Sequence, residues 1–189
     1  MFNSLITFID KSHPVTLLVL LVLSAYLIAI IWIFLYRFFA LNKWIALEKK
    51  ALEALFRGAE HVPDYGYLSH FLRSKPRGSK ALFDMASYAA TKDATKGLSF
   101  LSIVASTTPF IGLFGTVVSI LGTFAHIGQA TGGMMNVIAT GVSDALVATA
   151  SGIFVAIFAY TFHQILKRSA FELSGLIRMQ SDALLSKES

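Results

Sequence analysis

One acidic side chain, Asp144, lies in a stretch of sequence that is otherwise suited to a lipid bilayer. It is the only Asp, Glu, Lys or Arg between Lys96 and Lys167. A carboxyl group at the centre of a bilayer costs about 3 kcal/mol even on lenient insertion scales, so such residues usually serve a function. The chemistry that fits is the handling of a proton, an ion or the charge of a partner chain.

The residues alone leave three roles open for Asp144. No Lys or Arg lies in its own apolar run or in the apolar run before it, which excludes a simple ion pair between the two runs. Asp144 is then a permanently protonated structural residue, the partner of a charge on another chain, or a carrier that takes up and releases protons. Desolvation moves the titration of a carboxyl group toward neutral pH, which favours the carrier role.

Small and hydroxylated residues accompany Asp144 at helical spacing. In the apolar run before it, one helix face carries a row of them: Thr108, Gly112, Gly115, Ser119 and Gly122. In its own run, its face and the adjoining stripe carry Thr140, Ala148, Thr149 and Ser151. Small residues let transmembrane helices pack closely. Hydroxyl groups serve either as bonds between helices or as partners of an intramembrane acid.

Three of the polar residues lie at graded depths and predict a polar ladder through the hydrocarbon layer. With a rise of 1.5 Å per residue, Asp144 lies about 10 Å inward from Val137, Thr116 about 16 Å and Thr149 about 18 Å. Two spans cannot enclose a pore, so a ring of helices from several copies is needed. Pro109 either frees a carbonyl group for this path or makes a kink that neighbouring helices tolerate.

Long apolar helices must position these residues. Of the 189 residues, 55% are hydrophobic and only 14% are charged, whereas soluble domains average about 25% charged residues. Three runs exceed the roughly 20 residues that cross a bilayer, and none alternates as the strands of a β-barrel do. We predict an all-α membrane protein with three transmembrane helices and long cytoplasmic helical extensions. The predicted segments are an outer N-terminus at 1–13, spans at 14–39, 99–127 and 137–166, a cytoplasmic segment at 40–98, an outer loop at 128–136 and a cytoplasmic tail at 167–189.

The basic residues give the predicted orientation. Of the 16 Lys and Arg residues, only Lys11 precedes the first span, and none lies in the 128–136 loop. The positive-inside rule therefore places the 40–98 segment and the tail in the cytoplasm. The basic excess is an orientation signal, and no nucleic-acid partner is expected.

Both cytoplasmic segments are predicted to be helical. The helical pattern of the first span continues over 40–61, where Lys49 and Glu53 are spaced to pair one turn apart. In the tail, an apolar stripe consists of Leu166, Ala170, Leu173, Ile177 and Leu184. Since the opposite face is not mainly basic, we expect the tail to pack on other helices and not to lie on the membrane surface.

Enzymatic chemistry is not expected. The chain has no cysteine, which excludes a thiolate metal site and a Cys nucleophile. Its histidines lack a metal-binding spacing such as HExxH. An intramembrane aspartyl protease needs two carboxyl groups in one site, and these apolar runs hold one. We therefore predict no catalytic, cofactor or metal site.

Two blocks of sequence carry a family resemblance. TPFIGLFGTVVSILGTF followed by GVSDALVATASGIFVAI resembles the paired signature of the ExbB/TolQ proton-channel family, whose relatives include the flagellar stator protein MotA. Three spans with no fourth fit ExbB/TolQ better than MotA. Carried over by position, the intramembrane acid of the family falls on Asp144 and its two path threonines on Thr116 and Thr149. The remaining candidates for the path or for helix packing are Thr108, Pro109, Gly112, Gly115, Ser119, Thr140 and Ser151.

The resemblance implies a subunit of an inner-membrane motor. Family members form a pentameric ring around the transmembrane helices of an ExbD/TolR-type single-span partner. Proton flow then energises a TonB- or TolA-type protein that reaches the outer membrane. On this expectation the N-terminus is periplasmic, the C-terminus is cytoplasmic, and the proton is the coupling ion without any cofactor.

Two departures from the family pattern stand in this sequence. The family usually has Glu where this chain has Asp144, and the segment AIFAYTF lacks the Pro that is often found late in the third span. The short N-terminal segment looks more like TolQ than long-form ExbB. The alternatives are a non-conducting structural scaffold in the membrane and a MotA-like stator relative.

Overall fold

The structure is a computed structural model, and it describes residues 14–59, 63–72, 80–127 and 134–188. All regular secondary structure in these ranges is α-helical, which confirms the all-α prediction. The helices are α1 (Pro14–Phe56), α2 (Tyr67–Leu72), α3 (Lys80–Ala94), α4 (Leu98–Ile127) and α5 (Met134–Glu188).

Three helical stretches within the described ranges are long and apolar enough to cross a membrane. They lie in Pro14–Phe56, Lys80–Ala125 and Val137–Ser186, so the predicted number of spans is confirmed. The first and third helices are 43 and 55 residues long and run well past the predicted spans at 14–39 and 137–166. The predicted outer segment 1–13 and most of the 128–136 loop lie outside the described residues.

Glycine ends α1 earlier than the sequence pattern predicts. Gly58 has a φ of 101°, a conformation that glycine adopts without steric cost. Its N–H donates to the carbonyl of Leu55 at 3.2 Å, and the N–H of Ala59 donates to the carbonyl of Ala54 at 3.1 Å. These are the two hydrogen bonds of a Schellman motif. The helix therefore stops at Phe56, whereas the sequence predicted a helical pattern to residue 61.

The chain divides into two compact units, which are described separately. The first unit is formed by Met1–Trp32 and Phe100–Phe162. Its core joins α1, α4 and α5 through Val19, Leu23, Ile30, Val104, Ala148, Val155 and Ala159. Large apolar side chains remain exposed around this core, among them Leu21, Trp32 and Phe110. Apolar area on this scale marks a surface that meets something other than water, which for apolar spans is lipid or another chain.

The second unit is formed by Ile33–Ser99 and His163–Ser189. The tail stripe of α5 lies in its core, where Leu166, Ala170, Leu173 and Ile177 are buried. This burial confirms that the tail packs on other helices. Lys49 forms an ion pair with Glu172 on α5, with 2.7 Å between Nζ and Oε1, so the predicted pairing with Glu53 is not the one observed.

A buried carboxylate, Glu48, joins three segments of the second unit. It accepts hydrogen bonds from the backbone N–H of Tyr67 at 2.6 Å and from Nε2 of Gln180 at 2.7 Å. Both Glu48 and Gln180 are almost completely buried, and a buried carboxylate is tolerated when its oxygens are hydrogen-bonded. These bonds tie α1 to α5 and to the start of α2.

Asp93, at the end of α3, is the acceptor of a second group of polar contacts. Its Oδ1 lies 2.6 Å from Nζ of Lys96, and its Oδ2 accepts a hydrogen bond from the Tyr67 hydroxyl at 3.0 Å. The Lys96 ammonium, followed by the Tyr67 hydroxyl, holds the pKa of Asp93 below its ordinary value. Burial, helped by the bond to Asp93, raises the pKa of Tyr67 to about 12.

The Tyr67–Asp93 bond predicts a pH-dependent stability difference. Tyr67→Phe should lower the free energy of unfolding by about 1 kcal/mol at pH 7, a value that allows for solvent screening at this partly exposed pair. Since the pKa of Asp93 is depressed in the folded protein, its contribution is present above the unfolded pKa and is lost as pH falls through the folded pKa. The difference between wild type and variant should therefore shrink between pH 7 and pH 3.

Denaturant unfolding in detergent, followed by tryptophan fluorescence, measures this difference. Trp44 is a suitable reporter because its ring packs 5.5 Å from the ring of Tyr67. The matched control is Tyr65→Phe at an exposed neighbouring tyrosine, which should change stability little at either pH. A Tyr67→Phe loss of the same size at pH 3 and pH 7 would contradict the assignment to Asp93.

Candidate functional site

Asp144 is buried inside the first unit. Its side chain is only 6% exposed, and it lies on the buried face of α5 that also holds Ala145 and Ala148. The carboxyl group therefore points into the contact of α5 with α1 and α4, and not outward. Its low exposure within a single chain means that the protein itself supplies most of its surroundings.

The backbones of α4 and α5 touch beside this site. A Cβ atom placed on Gly152 would lie 2.6 Å from the carbonyl oxygen of Thr108 and 3.0 Å from Cα of Gly112. A Cβ atom on Gly112 would lie 2.8 Å from the carbonyl oxygen of Ala148. Real Cβ atoms do not approach this closely, so glycine at both positions is what permits the crossing. The sequence prediction that small residues pack these two spans together is confirmed here.

Thr116 and Thr149 meet across the same crossing. Their hydroxyl groups are hydrogen-bonded to each other, and the Thr116 hydroxyl also lies 3.0 Å from the carbonyl oxygen of Ala145. Since a hydroxyl donates one proton, a consistent arrangement runs from Thr149 to Thr116 and from Thr116 to Ala145. The two threonines chosen from the sequence are therefore in contact, and their bonds end on the residue after Asp144.

Asp144 and Thr149 lie on different sides of α5. Five residues separate them, which corresponds to about 7.5 Å along the helix axis and roughly 140° around it. Within one protomer, Asp144 and the Thr116–Thr149 pair are thus neighbouring sites and do not form a single row. The polar ladder through all three remains a prediction for an assembly of several chains.

Further contacts between α4 and α5 lie within about one turn of Asp144. The Ser119 hydroxyl donates to the carbonyl of Gly141 at 3.4 Å, and Gly141 is so close to the Thr123 side chain that it has no room for a Cβ atom. At Gly115, a Cβ atom would lie 3.1 Å from Cβ of Ala148 and 3.1 Å from Cγ1 of Val19. Ser119 and Gly115 therefore pack α4 against α5 within about one turn of Asp144.

The other sequence candidates occupy less central positions. Thr108 is fully buried, and its hydroxyl donates to the Val104 carbonyl of its own helix at 2.9 Å. Helix α4 continues through Pro109. Ser151 is half-buried and Thr140 is exposed, so the face predicted for Asp144 is buried at Asp144 itself and open at Thr140.

Sequence reasoning missed one buried polar residue of this unit, Thr16 on α1. Its side chain is fully buried, and its hydroxyl has no hydrogen-bond partner. A single Thr among the leucines and valines of an apolar run carries no recognisable spacing. Only the packing of three helices reveals that it lies inside.

In the described ranges of the chain, no three His, Cys, Asp or Glu side chains are grouped closely enough to hold a metal ion. What the site offers is a carboxyl group, hydroxyl groups and backbone carbonyls, a set that can bind and pass protons.

Comparison with known proteins identifies the family. The sequence profile of the MotA/TolQ/ExbB proton channel family matches residues 67–179. The chain belongs to this family. The match spans α2 to most of α5 and includes Asp144, Thr116 and Thr149.

Individual relatives of the MotA/TolQ/ExbB family agree with this assignment. A putative biopolymer transport protein ExbB-like 1 of Helicobacter pylori is 42% identical over 194 residues, which cover the whole of both chains. The biopolymer transport protein ExbB of Pseudomonas putida is 36% identical over 95 residues, half of this chain and 28% of that protein. The Tol-Pal system protein TolQ of Haemophilus influenzae is 36% identical over 81 residues, 43% of this chain and 36% of that protein. With its three membrane-capable helices, this family member is a multi-pass membrane protein.

Removing one hydroxyl of the threonine pair should reduce proton flux without abolishing it. Thr149→Val removes one hydroxyl and leaves the bond of Thr116 to Ala145 in place. We expect proton flux in liposomes to fall by only about fivefold, the equivalent of one lost hydrogen bond, because the carboxyl group of Asp144 is unchanged. The control is Thr161→Val on the same helix, where an exposed hydroxyl donates to the Ile157 carbonyl at 2.8 Å. Equal flux in both variants would contradict a role for the pair.

Proposed function

We propose that this chain is the proton-conducting subunit of an inner-membrane complex that uses the proton motive force to energise a TonB- or TolA-type protein. Asp144 takes up and releases the proton, and Thr116 and Thr149 contribute to its path. The proton is the coupling ion, no cofactor is used, and no enzymatic bond chemistry takes place.

The burial of Asp144 in the three-helix contact carries this proposal. A carboxyl group that is 6% exposed, in a unit whose described residues include no Lys or Arg, is expensive to keep charged. Proton uptake and release then depend on which polar or charged groups face the carboxyl group. Membership of a proton channel family supports this reading.

The proposed assembly is a homo-oligomeric ring, pentameric by family resemblance, around a single-span partner of the ExbD/TolR type. The exposed apolar side chains of the first unit face lipid or other copies, and the partner supplies an acidic residue toward Asp144. The N-terminus lies in the periplasm and the C-terminus in the cytoplasm of a bacterial inner membrane, in keeping with the distribution of Lys and Arg.

Reconstitution tests the proposal. The full-length chain is purified with the single-span protein that accompanies it and is placed in liposomes with an imposed pH gradient and a pH-sensitive dye inside. We expect proton flux that depends on the presence of both proteins. A fully assembled complex that passes no protons at any membrane potential would refute it.

A non-conducting scaffold is the second candidate, and one observation favours it. The Thr116 and Thr149 hydroxyls have carbonyl acceptors within reach at Ala145 and Gly112, at 3.0 Å and 3.4 Å. Hydroxyls bonded in this way hold helices together without conducting anything. A scaffold of this kind keeps Asp144 protonated, so the liposome experiment separates the two candidates.

A further inference from the structure

Three helices meet at Gly115, and this contact fixes their register. Gly115 of α4 lies against Val19 of α1 and Ala148 of α5. The bonds from Thr116 to Ala145 and from Ser119 to Gly141 show that α4 runs antiparallel to α5. Helix α1 also runs antiparallel to α4, because Val19 lies against Gly115 whereas the ring of Tyr26, further along α1, lies 6.4 Å from the ring of Phe100, earlier in α4. Helices α1 and α5 therefore run parallel.

Each of the three helices carries a polar residue one turn away from the contact at Gly115. Thr16 precedes Val19 by three residues, Ser119 follows Gly115 by four, and Asp144 precedes Ala148 by four. Residues three or four apart share a helix face, and the helix directions put all three turns on the same side of the contact. Thr16, Ser119 and Asp144, at 0%, 2% and 6% exposure, therefore form one buried polar layer.

Thr16 is the member of this layer whose bonding is incomplete. Its Oγ1 is buried and has no hydrogen-bond partner, whereas Ser119 donates to the Gly141 carbonyl. Among the described residues of the first unit, it is the one side-chain oxygen or nitrogen in this condition. A buried hydroxyl without a partner costs free energy, and a hydrogen bond formed in a second state of the protein is one explanation for its retention.

We propose that Thr16 is a positioning residue for Asp144, and that its hydroxyl donates a hydrogen bond to the carboxylate once Asp144 has released its proton. A threonine in a helix has two accessible rotamers about its Cα–Cβ bond, so its hydroxyl can change direction without movement of the backbone. The bond favours the charged form of a carboxyl group that burial disfavours, so Thr16 assists proton release. This inference rests on the proposed function, because it assigns Thr16 to the release step of that same site.

No other ionisable side chain among the described residues of the first unit lies within one turn of this layer. Apart from Asp144, the described residues of the first unit include no Asp, Glu, Lys or Arg, and their other titratable residues are Tyr26 on α1, His126 on α4 and Tyr160 on α5. Each lies seven or more residues along its helix from the layer, which is about 10 Å or more. From α1 the layer presents Thr16, and from α4 it presents Ser119.

The test compares stability with function in Thr16→Val, which keeps the shape of the side chain and removes the hydroxyl. In liposomes holding the full chain and its single-span partner, we expect Thr16→Val to lower proton flux about fivefold. The pH of half-maximal flux should rise by about one unit, because proton release is hindered.

In the purified protein the same variant should unfold at an equal or higher temperature, since an unpartnered hydroxyl has been removed. Thr16→Ser should restore flux and its pH profile.

A second measurement does not depend on flux. The infrared C=O band of protonated Asp144, assigned by its absence in Asp144→Asn, should titrate at a shifted pH in Thr16→Val and not in the control Thr107→Val. The Thr107 hydroxyl is exposed and donates to the Ile103 carbonyl of its own helix at 2.8 Å.

Each outcome separates this inference from the proposed function. If wild type conducts and Thr16→Val matches it in flux, pH profile and infrared titration, the role of Thr16 is refuted and the proposed function stands. If Thr16→Val and Thr16→Ser lower flux equally with an unshifted band, Thr16 serves packing only and the inference fails. If wild type does not conduct but the band shifts in Thr16→Val alone, the proposed function fails and the bond to Asp144 is supported.

Discussion

Replacing Asp144 by Asn should abolish proton flux and leave the complex assembled. Asn has nearly the same shape as Asp but cannot titrate, so the group that we propose takes up and releases the proton is lost while the packing around it is kept. Since proton transfer by a positioned group contributes about 100-fold or more in rate, we expect the remaining flux to be indistinguishable from that of empty liposomes. The assembled complex should elute from size exclusion at the wild-type volume.

The effect on stability should be small and separates this change from misfolding. Asp144 is almost completely buried, and a neutral amide is tolerated in such a place at least as well as a carboxyl group. We expect the free energy of unfolding to change by less than about 1 kcal/mol. A large loss of stability would show that Asp144 is mainly a structural residue.

Two further variants make the Asp144 result interpretable. Asp182→Asn applies the same chemical change to an exposed acid on the same helix and should leave flux at the wild-type level. Asp144→Glu restores the residue that the family usually has and keeps a titrating group, so it should retain a substantial part of the flux. Wild-type proton flux in Asp144→Asn would refute the proposed function.

Gly152→Ala should strongly destabilise the first unit. The new Cβ would lie 2.6 Å from the carbonyl oxygen of Thr108 and 3.0 Å from Cα of Gly112. Both are backbone atoms that no side-chain rotation can move, so α4 and α5 must separate. Overpacking of this kind costs about 1–3 kcal/mol, and we expect the upper part of that range. Since Thr116 and Thr149 bond across the same crossing, flux should also fall.

A second glycine on the same helix provides the control. Gly175 has no atom within 4 Å of an added Cβ, and Ala is a better helix former than Gly by about 1 kcal/mol. Gly175→Ala should therefore raise the unfolding temperature, whereas Gly152→Ala should lower it by several degrees. Unfolding temperatures that shift in opposite directions in the two variants would show that the effect of Gly152→Ala comes from the helix crossing. A lower unfolding temperature in both variants would contradict that explanation.

The sequence predicted the helices well because their signals are local. Runs of apolar residues define the spans, and the stripe from Leu166 to Ile177 predicted that the tail packs. The end of α1 was less predictable, because the positive φ of Gly58 depends on how the chain leaves the helix. Lys49 pairs with Glu172, which is distant in sequence, and no helical spacing rule reveals such a partner.

The candidate site shows the same limit. Repeated spacing of glycine and threonine correctly indicated that α4 and α5 pack together at Gly112 and Gly152. Spacing along one helix gives no register between helices, so it could not show that Thr116 contacts Thr149. Nor could it show that Thr16 lies one turn from a contact that involves α5. Such features depend on three helices at once.

The crossing at Gly112 and Gly152 also limits how this sequence can evolve. At most tight contacts, a larger residue on one side can be accommodated by a smaller one on the other. Here the side chain at both positions is already a single hydrogen, so neither residue can be replaced by a smaller one to make room for its neighbour. Among proteins that keep this helix crossing, variation should therefore be absent from this pair and should appear first at positions such as Gly175, where added atoms meet nothing.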